Sequence, residues 1–317
     1  MQLIPFNNKK ILIVIFLWII IYQLSFAEEV AERKSYPSTF STDLTIMALY
    51  PWGAVLEVGE TCEVPILRFE NSLTSTNSLK FRASLNLTPI TLEGDFKTTF
   101  TPIAFFQLFI GAGIGTGWSF ANFHGFSQNV ADENGNSKLL PINGKNFFFN
   151  TRFGFRLQFD LGAIIDNEWA HFVLVMDQGL KYFGAANMTS YDSWLYRQDS
   201  GENRNSWLYT ANYVLGYQMP IPLNFVGIQI ETEKKLYREP EGKEKWGDQY
   251  IYAYITPLLV FKATSYLNII IAPQFLTVKN YIYDSKIFYE HNEINNETHH
   301  KVRFYRIAIS LSFDFKH

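Results

Sequence analysis

The sequence predicts an all-β fold, a transmembrane antiparallel up-and-down β-barrel preceded by an export signal. Three observations predict it: residues alternate between apolar and polar along many segments, short and long connections follow one another, and aromatic residues are unusually frequent. Aromatic residues make up 17% and charged residues 18% of the chain, and the mean hydropathy is −0.05. A helical membrane protein would be more apolar and a soluble domain more charged, whereas strands with one apolar and one polar face give this average.

The N-terminus has the layout of a cleavable secretory signal. Two lysines precede the apolar run at residues 11–22, and small side chains come just before the acidic Glu28. Such a run is short against the roughly 20 residues that cross a bilayer as a helix, so an uncleaved anchor is the weaker interpretation. We therefore expect cleavage between Ala27 and Glu28, a signal peptide at residues 1–27 and a barrel domain at residues 28–317.

The clearest strand pattern covers residues 147–161. Its odd positions are Phe or Leu with one Thr, whereas its even positions after Phe148 carry two arginines, two amides, a glycine and an aspartate. Successive side chains of a strand point to opposite faces, so one face is a wall of phenylalanine and the other is polar. A helix would spread these phenylalanines around its circumference. The pattern therefore predicts a strand between an apolar and a polar environment.

Similar alternation recurs along the chain and predicts about ten strands. An even number places both termini on the same side of the membrane. Residues 51–77 leave an alternative open, because a hairpin formed by residues 54–59 and 64–69 would raise the number to twelve. The ten predicted strands are residues 41–50, 79–92, 100–118, 146–165, 169–183, 205–219, 223–237, 249–262, 265–281 and 301–315.

Connections of two kinds separate these strands. The links at residues 166–168, 220–223 and 262–265 are tight. The intervening links are long and rich in Asn, Asp, Gly and Glu: residues 119–145, 184–204, 238–248 and 281–300. Membrane barrels of the bacterial outer membrane combine short periplasmic turns with longer external loops. This asymmetry favours such a barrel over the weaker alternative of a soluble exported β-sandwich.

The last predicted strand carries a family resemblance. Its apolar positions alternate with polar ones and end on an aromatic residue: Tyr305, Ile307, Ile309, Leu311, Phe313 and Phe315. This resembles the C-terminal strand of bacterial outer-membrane β-barrel proteins, a porin-like group in which that strand is the assembly signal. In that family the chain usually stops at the final aromatic residue, whereas two residues follow it here. The resemblance implies a bacterial outer-membrane location, with outer-membrane lipid and the barrel-assembly machinery as partners.

Charged residues on the polar faces are candidates for the barrel lumen: Lys80, Arg82, Arg152, Arg156, Asp160, His171, Asp177, Lys181, Glu231 and Glu233. Two interpretations stay open. The charges could select small polar solutes, or they could pair with one another, because isolated buried charges are costly and side chains largely fill small barrels. Arg152 and Arg156 lie about 13 Å apart along one strand at roughly 3.3 Å per residue. They would form a positive ladder, which Asp160, Glu231 and Glu233 could neutralise.

Four glycines alternate along residues 111–117. Their spacing is that of one strand face and not of a phosphate-binding loop. We expect them to thin the inner wall or to let a loop pack closely against it.

The sequence contains no arrangement of residues typical of a known active site. His124, His291, His299 and His300 lie in long polar loops without the strict spacing of metal ligands or a catalytic motif. We therefore predict no enzymatic activity, no metal and no cofactor, and the formal net charge of −3 does not indicate nucleic-acid binding. The functional hypothesis is a narrow pore or channel for small polar solutes, with a non-conducting structural or surface-binding (adhesin-like) barrel as the alternative. The substrate and the oligomeric state stay open.

Overall fold

A computed structural model describes most of the chain after the predicted export signal. The described residues are 36–51, 53–197, 202–237, 250–278 and 301–316. The signal peptide at residues 1–27 and its cleavage site between Ala27 and Glu28 lie outside them.

The described chain contains seventeen strands and one 3₁₀ turn, and twelve of the strands form a closed antiparallel barrel. The elements are β1 (Thr39–Tyr50), β2 (Gly53–Pro65), β3 (Ser78–Leu87), β4 (Thr91–Ile103), β5 (Phe106–Gly117), β6 (Ser119–Phe120), β7 (Phe123–His124), β8 (Phe126–Ala131), β9 (Ser137–Pro141), β10 (Phe148–Asp160), η1 (Leu161–Ala163), β11 (His171–Ala185), β12 (Ser193–Tyr196), β13 (Ser206–Gln218), β14 (Leu223–Leu236), β15 (Ile251–Lys262), β16 (Leu267–Val278) and β17 (Lys301–Lys316). Strands β6–β9 and β12 belong to two small sheets outside the barrel wall. Each barrel strand pairs with the next one along the chain, and β1 pairs with β17 to close the sheet. This single closed sheet excludes the β-sandwich alternative.

The number of about ten strands is wrong, and the alternative number of twelve is correct. The two additional strands are β2 and β4, neither of which was placed correctly. The hairpin proposed at residues 54–59 and 64–69 is instead one continuous strand that runs from Gly53 to Pro65. The outer face of this strand includes Glu60 and Cys62, which interrupt its apolar pattern and hide it.

Strand β4 was divided between two predicted strands. The first residues of β4 were included in the predicted strand 79–92, and its last residues in the predicted strand 100–118. The boundary between β4 and β5 is a turn of only two residues, Ala104 and Phe105. That turn lies inside an uninterrupted apolar run and contains no Gly, Asn or Asp, the residues that usually mark turns. The sequence therefore reads as one long strand where the chain reverses.

The two faces of the wall differ in chemistry. Paired residues of an antiparallel sheet lie on the same face, so the register assigns every barrel residue to the inside or the outside. Outward side chains are mainly large and apolar, and Ile110, Leu85 and Ile114 are 63%, 61% and 55% exposed. Large apolar patches on a protein surface mark contact with an apolar partner or a membrane. None of the described residues belongs to a helix long and apolar enough to cross a membrane.

Connections differ between the two ends of the barrel. The long-loop rim is the end of the barrel at which the connections of residues 118–147 and 186–205 begin and end. The short-turn rim is the opposite end, where β1 begins and β17 ends. The expected alternation of short and long connections holds from β5 onward. It fails before β5, because the links from β1 to β2 and from β3 to β4 are short although they join strands at the long-loop rim.

Candidate functional site in the barrel lumen

The two arginines of β10 are neutralised by neighbouring strands. Arg152 donates two hydrogen bonds to Asp95 of β4, at 2.7 and 2.6 Å, and Arg156 donates two to Asp177 of β11, at 2.6 and 2.8 Å. Two parallel bonds between a guanidinium and a carboxylate form a strong, oriented ion pair. The positive ladder suggested by the sequence is therefore paired along its length, by Asp95 and Asp177 rather than by the carboxylates suggested from the sequence.

A second cluster joins the first three strands of the barrel. Arg82 of β3 donates to Asp43 of β1 and to Glu57 of β2, both at 2.6 Å. Lys80 of β3 lies 3.0 Å from Glu63 of β2. These predicted lumen residues therefore stabilise the contact between strands, and their charges are compensated locally.

Asp160 and His171 meet at the short-turn rim. The His171 Nδ1 lies 2.8 Å from one oxygen of the Asp160 carboxylate, and the other oxygen accepts a hydrogen bond from the Gly162 backbone at 2.9 Å. The aspartate thus caps η1 and orients the imidazole at the same time. This arrangement fixes the turn between β10 and β11.

The alternating glycines of β5 make room for neighbouring groups. A Cβ atom on Gly111 would lie 3.1 Å from the Arg152 guanidinium, and one on Gly115 would lie 2.5 Å from the Phe148 ring. A Cβ atom on Gly117 would lie 2.9 Å from Phe126 of the connection after β5. Both expected roles are therefore present, because the glycines accommodate inward side chains and also a packed loop.

Two long connections fold into the barrel at the long-loop rim. We call residues 186–197 and 202–205 the inner loop; its strand β12 pairs with β8 of the connection at residues 118–147. Trp194 of the inner loop and Phe126 are fully buried, with ring centroids 5.8 Å apart, and Trp194 lies 4.6 Å from the ring of Phe183 on the barrel wall. The apolar cluster formed there consists of Phe126, Phe148, Phe183, Ala185, Trp194, Leu208 and Tyr237. Sequence reasoning described these connections as polar loops and missed this cluster.

The inner loop contacts opposite walls of the barrel. The Tyr196 hydroxyl donates to Glu93 of β4 at 2.6 Å, and Arg197 donates to the same carboxylate at 3.2 Å. Further along the loop, Glu202 accepts a hydrogen bond from the Tyr252 hydroxyl of β15 at 2.9 Å. Strands β4 and β15 are six positions apart in the twelve-stranded ring. The described parts of the inner loop therefore bind both sides of the lumen and narrow it.

A cavity of about 430 Å³ lies at the middle of the lumen. Its charged lining residues are Lys97, Arg152, Asp177, Lys181, Glu231, Glu233 and Arg306. Lys97 and Lys181 lie over aromatic rings, 4.9 Å from the centroid of Phe109 and 4.4 Å from that of Phe183. This is the position of the predicted lumen residues Lys181, Glu231 and Glu233, which the fold brings together around one space.

Several lumenal charges were missed because their strands were missed. These are Glu57, Glu63, Glu93, Asp95 and Lys97 on β2 and β4, whereas Asp43 and Arg306 lie on strands that were predicted. A signal was present in β4, where acidic and basic residues at positions 93, 95 and 97 alternate with Leu92 and Phe96. The strand was overlooked because Gly94 and Thr98 weaken its apolar face.

The apolar positions of the C-terminal strand lie mainly on the outer face, where Ile309 is 47% and Phe315 42% exposed. Tyr305 differs from them. The register with β16 shifts next to it, and its ring centroid lies 5.8 Å from that of Tyr254, a residue that lines the cavity. A bulge at this point turns one residue of the alternating series toward the lumen.

The histidines considered in the sequence form no metal site in the described part of the chain. His124 lies 2.9 Å from the Ser119 hydroxyl within the β6–β7 hairpin, and the other three loop histidines lie outside the described residues. Among the residues that are described, no group of three His, Cys, Asp or Glu side chains could hold a metal ion.

Comparison with known proteins adds similarities of fold. No family model matches the chain, and no curated protein is significantly similar to it in sequence. Similar solved structures include the KdgM porin, with 10% identity, a TM-score of 0.37 and coverage of 87% of this chain and 99% of that one. They also include the NanC porin, with 8% identity, a TM-score of 0.39 and coverage of 86% and 98%. The beta domain of the Bordetella autotransporter BrkA has 6% identity, a TM-score of 0.36 and coverage of 88% and 98%. The closed twelve-stranded barrel itself follows from the strand pairing of this chain.

Proposed function

We propose that this chain is an integral barrel of the bacterial outer membrane and forms a narrow channel for small polar solutes. The observation that carries the proposal is a closed barrel whose outer face is apolar and whose inside holds charged side chains around a cavity of about 430 Å³. An apolar outside suits lipid, and a polar inside suits water and solutes. The resemblance of the C-terminal strand to an assembly signal supports the same location and implies the barrel-assembly machinery as a partner.

The cross-strand ion pairs and the inner loop indicate a narrow conduction path. Paired charges fill part of the lumen, and the inner loop binds two opposite walls. We therefore expect small, discrete conductance steps when the purified protein is inserted into planar lipid bilayers. Cell fractionation should recover the protein with outer-membrane markers.

A matched pair of variants separates conduction through the lumen from leakage around the protein. Thr210 of β13 lines the cavity, whereas Thr151 of β10 is exposed on the outer face and does not line it. Thr210→Trp should reduce the single-channel conductance by at least half, because the indole occupies the cavity. Thr151→Trp should leave the conductance unchanged. Equal conductance of both variants and the wild type would refute a path through this lumen.

The second candidate is a non-conducting barrel that binds partners at the cell surface. The inward-folded inner loop favours it, because this loop contacts both sides of the lumen at the long-loop rim. Deletion of the inner loop distinguishes the candidates. If neither the wild type nor the deletion variant shows conductance steps, the channel proposal fails and the surface-binding barrel remains.

A further inference from the structure

Seven charged residues line the cavity, and five of them form no ion pair with a described residue: Lys97, Lys181, Glu231, Glu233 and Arg306. Arg152 and Asp177 are held by Asp95 and Arg156, respectively. Within the described residues, Lys97, Lys181, Glu231 and Glu233 have no oppositely charged group within 4.0 Å. The two ammonium groups contact aromatic rings instead. Two ammonium groups and two carboxylates of the cavity therefore form no ion pair with each other.

The two kinds of charge lie on different parts of the wall. Lys97 belongs to β4 and Lys181 to β11, whereas both glutamates belong to β14, two strands beyond β11. At about 4.8 Å between strands, β11 and β14 are about 10 Å apart. Glu233 pairs across the sheet with Thr210 of β13, and Thr210 pairs with Gly179 of β11. Both of these positions have small side chains. A space bordered by lysines on one side and glutamates on the other therefore remains between them.

One further cation borders this space but is partly engaged. Arg306 of β17 donates to the Gln274 side chain at 2.8 Å, and its guanidinium lies 4.9 Å from the centroid of the Tyr305 ring. Arg306 lies on the side of the glutamates. It therefore weakens the repulsion between these glutamates and the carboxylate of a ligand, but it does not take over the role of the lysines in binding that carboxylate. The separation of unpaired positive and negative groups remains between β4 and β11 on one side and β14 on the other.

We propose that the cavity binds small zwitterions, namely amino acids and short peptides. This inference rests on the proposed channel function and names its substrate class. A ligand with a carboxylate and an ammonium group compensates both sets of charges at once, whereas an anion meets the glutamates and a cation meets the lysines. Charges in a narrow lumen are costly when they are neither hydrated nor paired, so the ligand that pairs both sets is favoured. A neutral solute compensates neither set.

The test compares three small amide probes that carry different charged ends. Glycylglycine carries both charges, N-acetylglycine only the carboxylate and glycinamide only the ammonium group. Binding to the purified barrel in detergent is measured by isothermal titration calorimetry. Hydrogen bonds to charged groups contribute enough for each lost end to weaken binding by about tenfold. Glycylglycine should therefore bind about tenfold more tightly than either singly charged probe.

Two double variants test which lumenal residues bind each charged end of the ligand. With Lys97→Gln and Lys181→Gln combined, glycylglycine should bind no better than glycinamide. With Glu231→Gln and Glu233→Gln combined, it should bind no better than N-acetylglycine. Lys234→Gln is the matched control, because this neighbour of Glu233 lies on the outer face; it should leave all three affinities unchanged. Heat-modifiable electrophoretic mobility verifies that each variant is a folded barrel.

Liposome swelling separates this inference from the channel proposal. Binding of glycylglycine with the expected preference but without permeation of any solute would refute the channel and support the binding site. Permeation of sugars and peptides alike, with equal binding of the three probes, would overturn the zwitterion site and leave the channel. Unchanged preference in both double variants would also overturn it, because the binding groups would then lie elsewhere.

Discussion

Replacing Trp194 with alanine tests whether the inner loop narrows the lumen. Trp194 is fully buried, and its ring lies 4.6 Å from that of Phe183 on the barrel wall and 5.8 Å from that of Phe126. The pairing of the barrel strands does not involve this residue. Loss of its side chain should therefore weaken the attachment of the loop and leave the barrel closed.

The size of the effect follows from the packing. Truncation of a buried Phe or Trp to alanine destabilises a protein by about 3–5 kcal/mol. We assign about 3 kcal/mol of this loss to the attachment of the loop. Because about 1.4 kcal/mol corresponds to a tenfold change in an equilibrium constant, the ratio of attached to detached loop should decrease roughly a hundredfold. The hydrogen bonds of Glu93 and Glu202 to the loop and wall remain, so detachment should be intermittent.

Single-channel recording and limited proteolysis measure this change. Trp194→Ala should show larger and more variable conductance steps than the wild type, together with faster cleavage within residues 186–205. Trp207→Ala is the control, because this tryptophan is 42% exposed on the outer face; it should leave the conductance unchanged. Faster cleavage without a change in conductance would refute the idea that the inner loop narrows the path. Unchanged cleavage would show that the loop is held by contacts other than the apolar cluster.

Three further predictions concern the faces, closure and loops of the barrel. Phe153→Arg places a charge on the outer face of β10, where Phe153 is 47% exposed, and should destabilise the barrel by about 2–4 kcal/mol in lipid; urea unfolding in vesicles with no loss would reverse the face assignment. Deletion of residues 301–316 removes β17, the partner of β1, and should abolish protease-resistant barrel in membranes, because an open edge leaves unpaired backbone groups in lipid. Asp132 accepts backbone hydrogen bonds from Asn136 and Asn134, which lower its pKa, so the turn should be stabilised at neutral pH and lose this contribution as the pH falls through the lowered pKa. Amide exchange at Asn136 should be faster in Asp132→Asn than in the wild type at neutral pH and equal to it in strong acid; a difference that persists in acid would contradict this assignment.

The second half of the barrel was predictable from alternation alone. The predicted strand at residues 205–219 lies within one residue of β13 at both ends, whereas the predicted strand at residues 146–165 begins two residues before β10 and ends five residues after it. These strands carry large apolar residues at almost every outward position, so the period of two dominates the local sequence. In β2 and β4 the outward positions include Glu60, Cys62 and Thr98. A lipid-facing strand tolerates a few polar side chains, and each one removes part of the signal on which the prediction depends.

The sequence predicts which side chains face the lumen, but it does not predict which of them contact each other. Alternation identifies Arg152 as inward, but its partner Asp95 lies two strands away, on β4, beyond β5. That pairing depends on the register of two successive hairpins, and register changes by two residues would exchange the partners without altering the pattern. The same limit applies to the inner loop. Its buried Trp194 stands among polar residues, and only the fold shows that the loop returns into the barrel.

The glycines of β5 connect these observations. Arg152 reaches Asp95 across β5 because Gly111 has no side chain to obstruct it, and a Cβ atom there would lie 3.1 Å from the guanidinium. Glycine weakens a strand, because it contributes no packing and loses more conformational freedom on folding. In β5 that loss is offset on the outer face, where Leu108, Ile110 and Ile114 are large and apolar. One face of this strand thus provides contact with lipid, and the other gives the arginine its path to Asp95. In β5, the alternation of glycine with large aliphatic residues thus accompanies an ion pair that crosses the strand from β10 to β4.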